Sequence, residues 1–341
     1  MADAPFEFLP LGAILQSFKV KGTNIVQGFP TQELYEKHNS PYFGVTVGRV
    51  ANRLEKAQIK ALNGGKTYKL AANDGPNNLH GGLKPWSKRV WDGPKPVGTR
   101  EIPGVDGLKG GESVEFSLTS EDGDEGFPGT VKVTVTYTAG TQDVDGKEVS
   151  VLGMEYEAKL VDGAEETAIN MTNHSYFNLT GDDTFAGTIA TLATNAHLPR
   201  DSVGIPTGGP VPFPGIEGGK PFELGVDGPA VDDCFIVDEK PSSVPIDTRK
   251  EPLKLHVHAK HPKNGVNLEV LSTEPAFQFY TGEGIDVPAV EGAPARGKRS
   301  GFCVEPSRWV NAVNVDEWKG QMVLKKGETY GTRIVYKAWS E

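Results

Sequence analysis

The stretch Val131–Thr138, VKVTVTYT, sets Val131, Val133, Val135 and Tyr137 on one side and Lys132, Thr134, Thr136 and Thr138 on the other. Alternation with a period of two marks a half-buried β-strand, because successive side chains point to opposite faces. Met154–Leu160 repeats the pattern, with Met154, Tyr156, Ala158 and Leu160 against Glu155, Glu157 and Lys159. An Asp145-Gly146 pair between the two runs marks a turn. Further strands are expected at Val114–Leu118, Leu253–Ala259, Val266–Leu271, Ala276–Tyr280, Gly301–Glu305 and Thr332–Ala338. With 42 glycines and 25 prolines in 341 residues, the chain suits many short strands joined by turns. It reads as all-β, a sandwich or barrel, in one large domain over residues 1–341.

Outside these runs, Ala13–Val20 and Thr23–Gln27 form an opening strand pair, and Thr31–His38 is the best short helix, with Thr31 as cap. Asn63-Gly64 between Ile59–Leu62 and Thr67–Leu70 signals a hairpin. Asn73–Gly82 reads as a polar loop, and Val203–Phe222 as a loop excursion. A net charge of -10 argues against nucleic acid as a partner, since phosphate binding needs a clustered positive surface. No apolar run is long enough to span a membrane. Asp3 and Glu7 precede the apolar piece Leu9–Leu15, where a secretory leader would carry positive charge. Only Cys234 and Cys303 are present, and three glycosylation acceptor patterns crowd Asn170–Thr180. Both features agree with a cytoplasmic setting.

Candidate chemistry gathers in a few segments. In Glu165–Leu179, EETAINMTNHSYFNL, a strand reading puts Asn170, Thr172, His174, Tyr176 and Asn178 on one face, which lines a wet groove or simply faces solvent. His80 precedes Gly81-Gly82, so it is either a turn histidine or one presented closely to a ligand. Asn52-Arg53 could fork hydrogen bonds onto sugar hydroxyls, or form a salt bridge. Asp232-Asp233 lead into an apolar strand, and Gln278 sits among aromatic neighbours. Glu305 ends an apolar strand, where burial would raise its pKa toward that of a general base. His256 and His258 share a face with Lys254 and Lys260 and read as a solvated basic edge, with no third ligand for a metal. His38, His197 and His261 read as structural or surface residues.

Taken in order, Gly48–Leu54 (GRVANRL), Asn78–Gly82 (NLHGG), Asn173–Leu179 (NHSYFNL), Phe277–Gly282 (FQFYTG) and Gly301–Glu305 (GFCVE) resemble the aldose 1-epimerase, or mutarotase, family. The resemblance implies a large antiparallel β-sandwich with its site in a groove on one sheet. It implies interconversion of the α and β anomers of hexoses such as D-glucose and D-galactose, with a small aldose as partner and no metal or organic cofactor. By the same resemblance Glu305 is the base and His174 the acid, His80 and Arg53 polarise or orient the sugar near its ring oxygen, and Asn52, Asp232 and Gln278 bind hydroxyls. The chain departs from the family pattern at Asp233, Pro306-Ser307 and Val310-Asn311. Three other activities remain open: a hexose-6-phosphate epimerase, for which Arg49, Arg53 and Lys88 would have to supply the phosphate pocket, a glycoside hydrolase using Asp232 with Glu305, and a non-catalytic sugar-binding module.

Overall fold

Pairing of the alternating runs gives two large antiparallel sheets in a computed structural model that describes residues 5–341, so Asp3 lies outside the described residues. The larger has nine strands in the order Pro221–Leu224, Thr188–Leu192, Lys254–His261, Val266–Ser272, Thr329–Ser340, Lys147–Asp162, Thr130–Val144, Lys109–Ser120 and Asp92–Thr99. Asp145-Gly146 closes a two-residue hairpin, with Val144 opposite Lys147. The last strand, DGPKPVGT, was not expected from the sequence because it alternates poorly and holds Pro94 and Pro96. It lies at the sheet edge, the place where a residue without an N–H is tolerated.

The alternation assigns the faces. Val131, Val133, Val135, Tyr137, Met154, Tyr156, Ala158 and Leu160 all enter the main core. The opposite face is less wet than its threonines suggest. Ile102 and Val105 fold onto Val149, Val151 and Val335 as a separate apolar cluster, and a Cβ on Gly153 would stand 2.8 Å from the Ile102 Cδ1.

The second sheet has six strands, in the order Tyr176–Phe177, Phe302–Ser307, Ala276–Tyr280, Asp232–Ile236, Ala196–His197 and Val211–Pro212. Phe177, Phe235, Phe277, Phe279, Phe302 and Val304 share the main core with the larger sheet. By the same alternation their sequence neighbours Tyr176, Asp232, Cys234, Gln278, Tyr280, Cys303 and Glu305 face the other way. The chain is therefore an all-β sandwich with a single α-helix among the described residues, Gln32–His38. Thr31 occupies its N-cap position without a side-chain capping bond.

Several expectations need correction. Glu165–Leu179 is not one strand. It breaks into Glu166–Ala168, Thr172–Asn173 and Tyr176–Phe177, each paired with a different partner. Because the segment is buried throughout from Thr167 to Leu179, it has no solvent face. Asn170 accepts from the Arg308 amide, and Asn178 donates to the Asp182 and Ser300 carbonyls. The Asn63 hairpin has a three-residue loop, since Leu62 pairs with Lys66. The excursion Val203–Phe222 ends in strands that edge both sheets. His256 and His258 do not share a face. A bulge between Leu255 and Val257 turns His256 inward, where it stacks on Phe277 at 5.1 Å with neither ring nitrogen hydrogen-bonded. His258 instead stacks beside Trp339 and meets the Asn267 side chain.

Burial pushes the His256 pKa from 6.5 down to about 3. Between those values the unfolded chain binds a proton at this residue and the folded chain does not, so stability falls as pH drops through that window. Replacing His256 with Leu should flatten the dependence of unfolding free energy on pH there, measured by urea denaturation at a series of pH values. An unchanged slope would contradict this account.

Candidate active site

The polar face of the six-stranded sheet is organised by register. Gln278 stands opposite Glu305, Tyr280 opposite both Asp232 and Cys303, and Cys303 opposite Tyr176. Directly opposed residues point to the same side, so these groups form a compact array. His174 joins it from the segment just before Tyr176. Its amide donates to the Val45 carbonyl, and its own carbonyl accepts from the Gly44 amide. His80 arrives on a loop pinned by the Arg53–Leu79 and Leu54–Asn78 pairing.

Gly81 has a different use from the one its sequence suggests. At φ +89° its missing Cβ lets the chain pass the Gly48 carbonyl, which a Cβ would meet at 2.3 Å. The glycine serves packing between loops, and that packing delivers His80.

All seven candidate residues, Asn52, Arg53, His80, His174, Asp232, Gln278 and Glu305, line one cavity of about 220 Å³. That is below the roughly 300–1,000 Å³ of drug-sized sites and suits a single small polar molecule. Tyr42, Tyr176 and Tyr280 line it too. Tyr176 and Tyr280 were legible in principle, each standing two residues from a candidate on an alternating segment. Tyr42, on a loop at φ 69°, carries no such signal. A larger cavity, about 370 Å³, lies under the Arg100–Pro103 loop and holds none of the candidates.

At the centre, His174 Nε2 lies 3.5 Å from Glu305 Oε2. Burial pushes His174 down to about 4, and burial together with Asp232 holds Glu305 well above the ordinary carboxylate range. Of the two, the carboxyl therefore holds a proton more readily than the imidazole, and their approach is a polar contact and not an ion pair. His80 is held well below its ordinary value, first by burial and then by His174 and Arg53. Its ring centre is 5.1 Å from that of His174, and Tyr42 packs against both rings.

Arg53 makes the salt bridge of one of its readings and borders the groove. Its Nε donates to Asp74 at 2.7 Å, and Gly204 sits against its guanidinium. Asp232 accepts from Gln278 Nε2 at 2.7 Å. Asp233 points away from the groove to His197 and Arg200. Asn311 binds the amide of Glu55. None of the departures at Asp233, Pro306-Ser307 and Val310-Asn311 lines the cavity. Arg49 is buried elsewhere on the Pro128 and Gly129 carbonyls and Ser120. Among the described residues Arg53 is the one arginine or lysine at the groove, so a phosphate pocket is not built there.

His80, His174 and Glu305 approach within 4.8 Å of one another, a set that could hold a divalent cation. Hydrogen bonding argues otherwise. The Asn52 amide donates to His80 Nδ1 at 3.2 Å, which puts the proton of the neutral ring on Nε2 and leaves no free lone pair.

Comparison with known proteins identifies the family. The sequence model of a family described as aldose 1-epimerase matches residues 4–337. Galactose mutarotase of Sus scrofa is 37% identical, over 95% of this chain and 88% of that protein. The bifunctional protein GAL10 of Pachysolen tannophilus is 38% identical over 96% of this chain, and the chain spans only 44% of that protein's length. Among solved structures, a GalM/aldose epimerase homologue from C. elegans superposes with a TM-score of 0.78 at 26% identity, covering 98% of this chain and 95% of that one.

Nitrogen-detected NMR of the imidazoles checks the electrostatics. On acidification from about pH 7, His80 and His174 should stay neutral through the ordinary histidine range near 6.5, His174 gaining its proton only near 4. A full titration step of either ring near 6.5 would overturn the assignment.

Proposed function

The chain belongs to the aldose 1-epimerase family, a family of isomerases, and from that premise we propose that it interconverts the α and β anomers of hexoses such as D-glucose and D-galactose. The meeting of His174 Nε2 and Glu305 Oε2 in a monosaccharide-sized groove carries the reading. In the reactive state the pair's one proton sits on the imidazole. The carboxylate takes the proton of the C1 hydroxyl, the C1 carbonyl forms, and the bond from C1 to the ring oxygen breaks. That oxygen receives the proton from His174. After rotation about C1–C2, closure on the other carbonyl face runs both transfers backward. No electrons leave the sugar, so the reaction as written needs no redox cofactor.

Burial favours the neutral form of the pair at rest, and substrate shifts it toward the reactive form. A sugar hydroxyl donating to Glu305 stabilises the carboxylate, as the Arg53 charge already does. Each group then serves as acid in one half of the cycle and base in the other. Asn52, Asp232 and Gln278 offer donors and acceptors for ring hydroxyls, and His80 with Arg53 hold the ring oxygen toward His174. One fixed pose is what matched proton transfers require. The protein acts as one domain in the cytoplasm, and its two buried, unpaired cysteines support that setting. No helix among the described residues is long and apolar enough to cross a membrane.

Glu305→Gln and His174→Asn should each lower kcat about a hundredfold to ten-thousandfold, the worth of a positioned acid or base. Polarimetry of freshly dissolved α-D-glucose and α-D-galactose measures it, and relaxation at the parent rate would remove the role from that residue. Binding without acceleration by the parent protein would indicate a sugar-binding module, and release of nitrophenol from a nitrophenyl glycoside a hydrolase.

The pH profile supplies a second check. A second proton on the pair leaves no base, and His174 takes it only near pH 4. The acid limb of kcat/KM should therefore fall near 4 and not near the 6.5 of a free imidazole. A limb at 6.5 would mean that His174 is charged in the free enzyme.

A further inference from the structure

The geometry points to Cys303 as a positioning residue that donates its thiol proton to His174 Nδ1 and so keeps the imidazole proton on Nε2, facing Glu305. This deepens the proposed reaction and takes its significance from that reading. The thiol sulfur lies 3.5 Å from Nδ1, on the side of the ring away from Glu305. Cys303 is fully buried and two residues before Glu305 on the same strand, so both side chains point to the same face. A thiol with that degree of burial keeps its proton and can act as a donor. Its other polar neighbour, the Tyr176 phenol, has a proton of its own to give to sulfur, which leaves the S–H for the imidazole.

The second histidine shows the same device with a stronger donor. At His80 the Asn52 amide approaches Nδ1 and fixes the proton on Nε2. Two rings from separate loops thus have their Nδ1 occupied from behind and present an N–H forward. For His174 the consequence is chemical. A proton on Nδ1 would leave Nε2 as a bare acceptor toward the groove, unable to give a proton to the ring oxygen until it had gained one. Holding the proton on Nε2 in the resting ring keeps at the groove the hydrogen that the imidazolium later gives to the ring oxygen; forming the imidazolium adds the second proton at Nδ1, from which the thiol turns its own hydrogen away.

The test uses the full chain without sugar first. In long-range ¹H–¹⁵N spectra at neutral pH, His174 Nδ1 should show the shift of an unprotonated nitrogen and Nε2 that of a protonated one. Cys303→Ala should move both shifts toward a mixture of tautomers and lower kcat about tenfold, with KM little changed, the scale of one lost hydrogen bond. Cys303→Ser, which restores a donor, should recover the parent spectrum and most of kcat. Far-ultraviolet circular dichroism confirms folding, and should the alanine variant fail to fold, the parent spectrum and the serine variant still decide. A parent His174 protonated on Nδ1, or an alanine variant with unchanged shifts and rate, overturns the inference. If the spectra behave as stated and the parent protein leaves anomer relaxation at the buffer rate, the tautomer assignment stands and the proposed reaction falls.

Discussion

The register of four short strands, with Gln278 opposite Glu305 and Cys303 between Tyr176 and Tyr280, is the constraint from which the site follows. On one side of these strands phenylalanines enter the main core, each worth about 1.5–3 kcal/mol of burial. On the other side stand two carboxyls, an amide, two phenols and two thiols. A slip of one residue would exchange the faces, placing Glu305 and Gln278 in the core and Val304 and Phe277 in the groove. Hydrophobic burial therefore fixes the positions of the polar groups. No interaction among those groups needs to be strong enough to assemble them.

That arrangement makes the site dry as well as ordered. Moving an isolated carboxylate or imidazolium out of water costs several kcal/mol even after relaxation. The pair responds by staying neutral at rest, with the proton on Glu305 and not on His174. Permanent charge is kept at the rim, where Arg53 is matched by Asp74 and both retain some exposure. A groove of this kind gives proton transfer a low-dielectric setting and leaves the substrate's hydroxyls to complete the polar contacts. Gln278 shows the same logic, since its Nε2 has Asp232 and its Oε1 has no protein partner.

The fold was legible wherever one face is core and the other is not. Val131–Tyr137 and Met154–Leu160 announce their inner faces residue by residue, and Asp145-Gly146 announces the turn between them. Legibility failed where burial is two-sided. Thr167–Leu179 is buried throughout, so polar residues such as Asn170 and Asn178 are internal hydrogen-bonding groups that alternation cannot distinguish from the groove-lining His174 and Tyr176. It failed again at the Leu255 bulge, which shifts His256 inward by one residue and leaves no mark in the composition. Asp232, Gln278 and Glu305 were readable from their places in or beside apolar strands, Asn52, Arg53 and His80 from local motifs, and His174 from an alternation that the fold breaks up; packing brings all seven to one cavity. Tyr42 and Asp74 are loop residues whose places depend on how distant loops pack, and local sequence does not encode that.

Two histidines with similar burial have been given different degrees of freedom by what stands behind them. A backbone amide cannot leave Nδ1 of His80 without breaking the loop, so that ring is a fixed donor. A thiol can turn its proton away and is a weak donor, so His174 can take a second proton at Nδ1, bear charge briefly and return. A proton shuttle needs this tolerance: a donor strong enough to select the resting tautomer and too weak to oppose the imidazolium that forms in the cycle. A backbone amide at the same place would penalise the charged ring by facing its new Nδ1–H with another donor. On the proposed reaction, the difference between an orienting histidine and a working one therefore lies in the atom behind each ring.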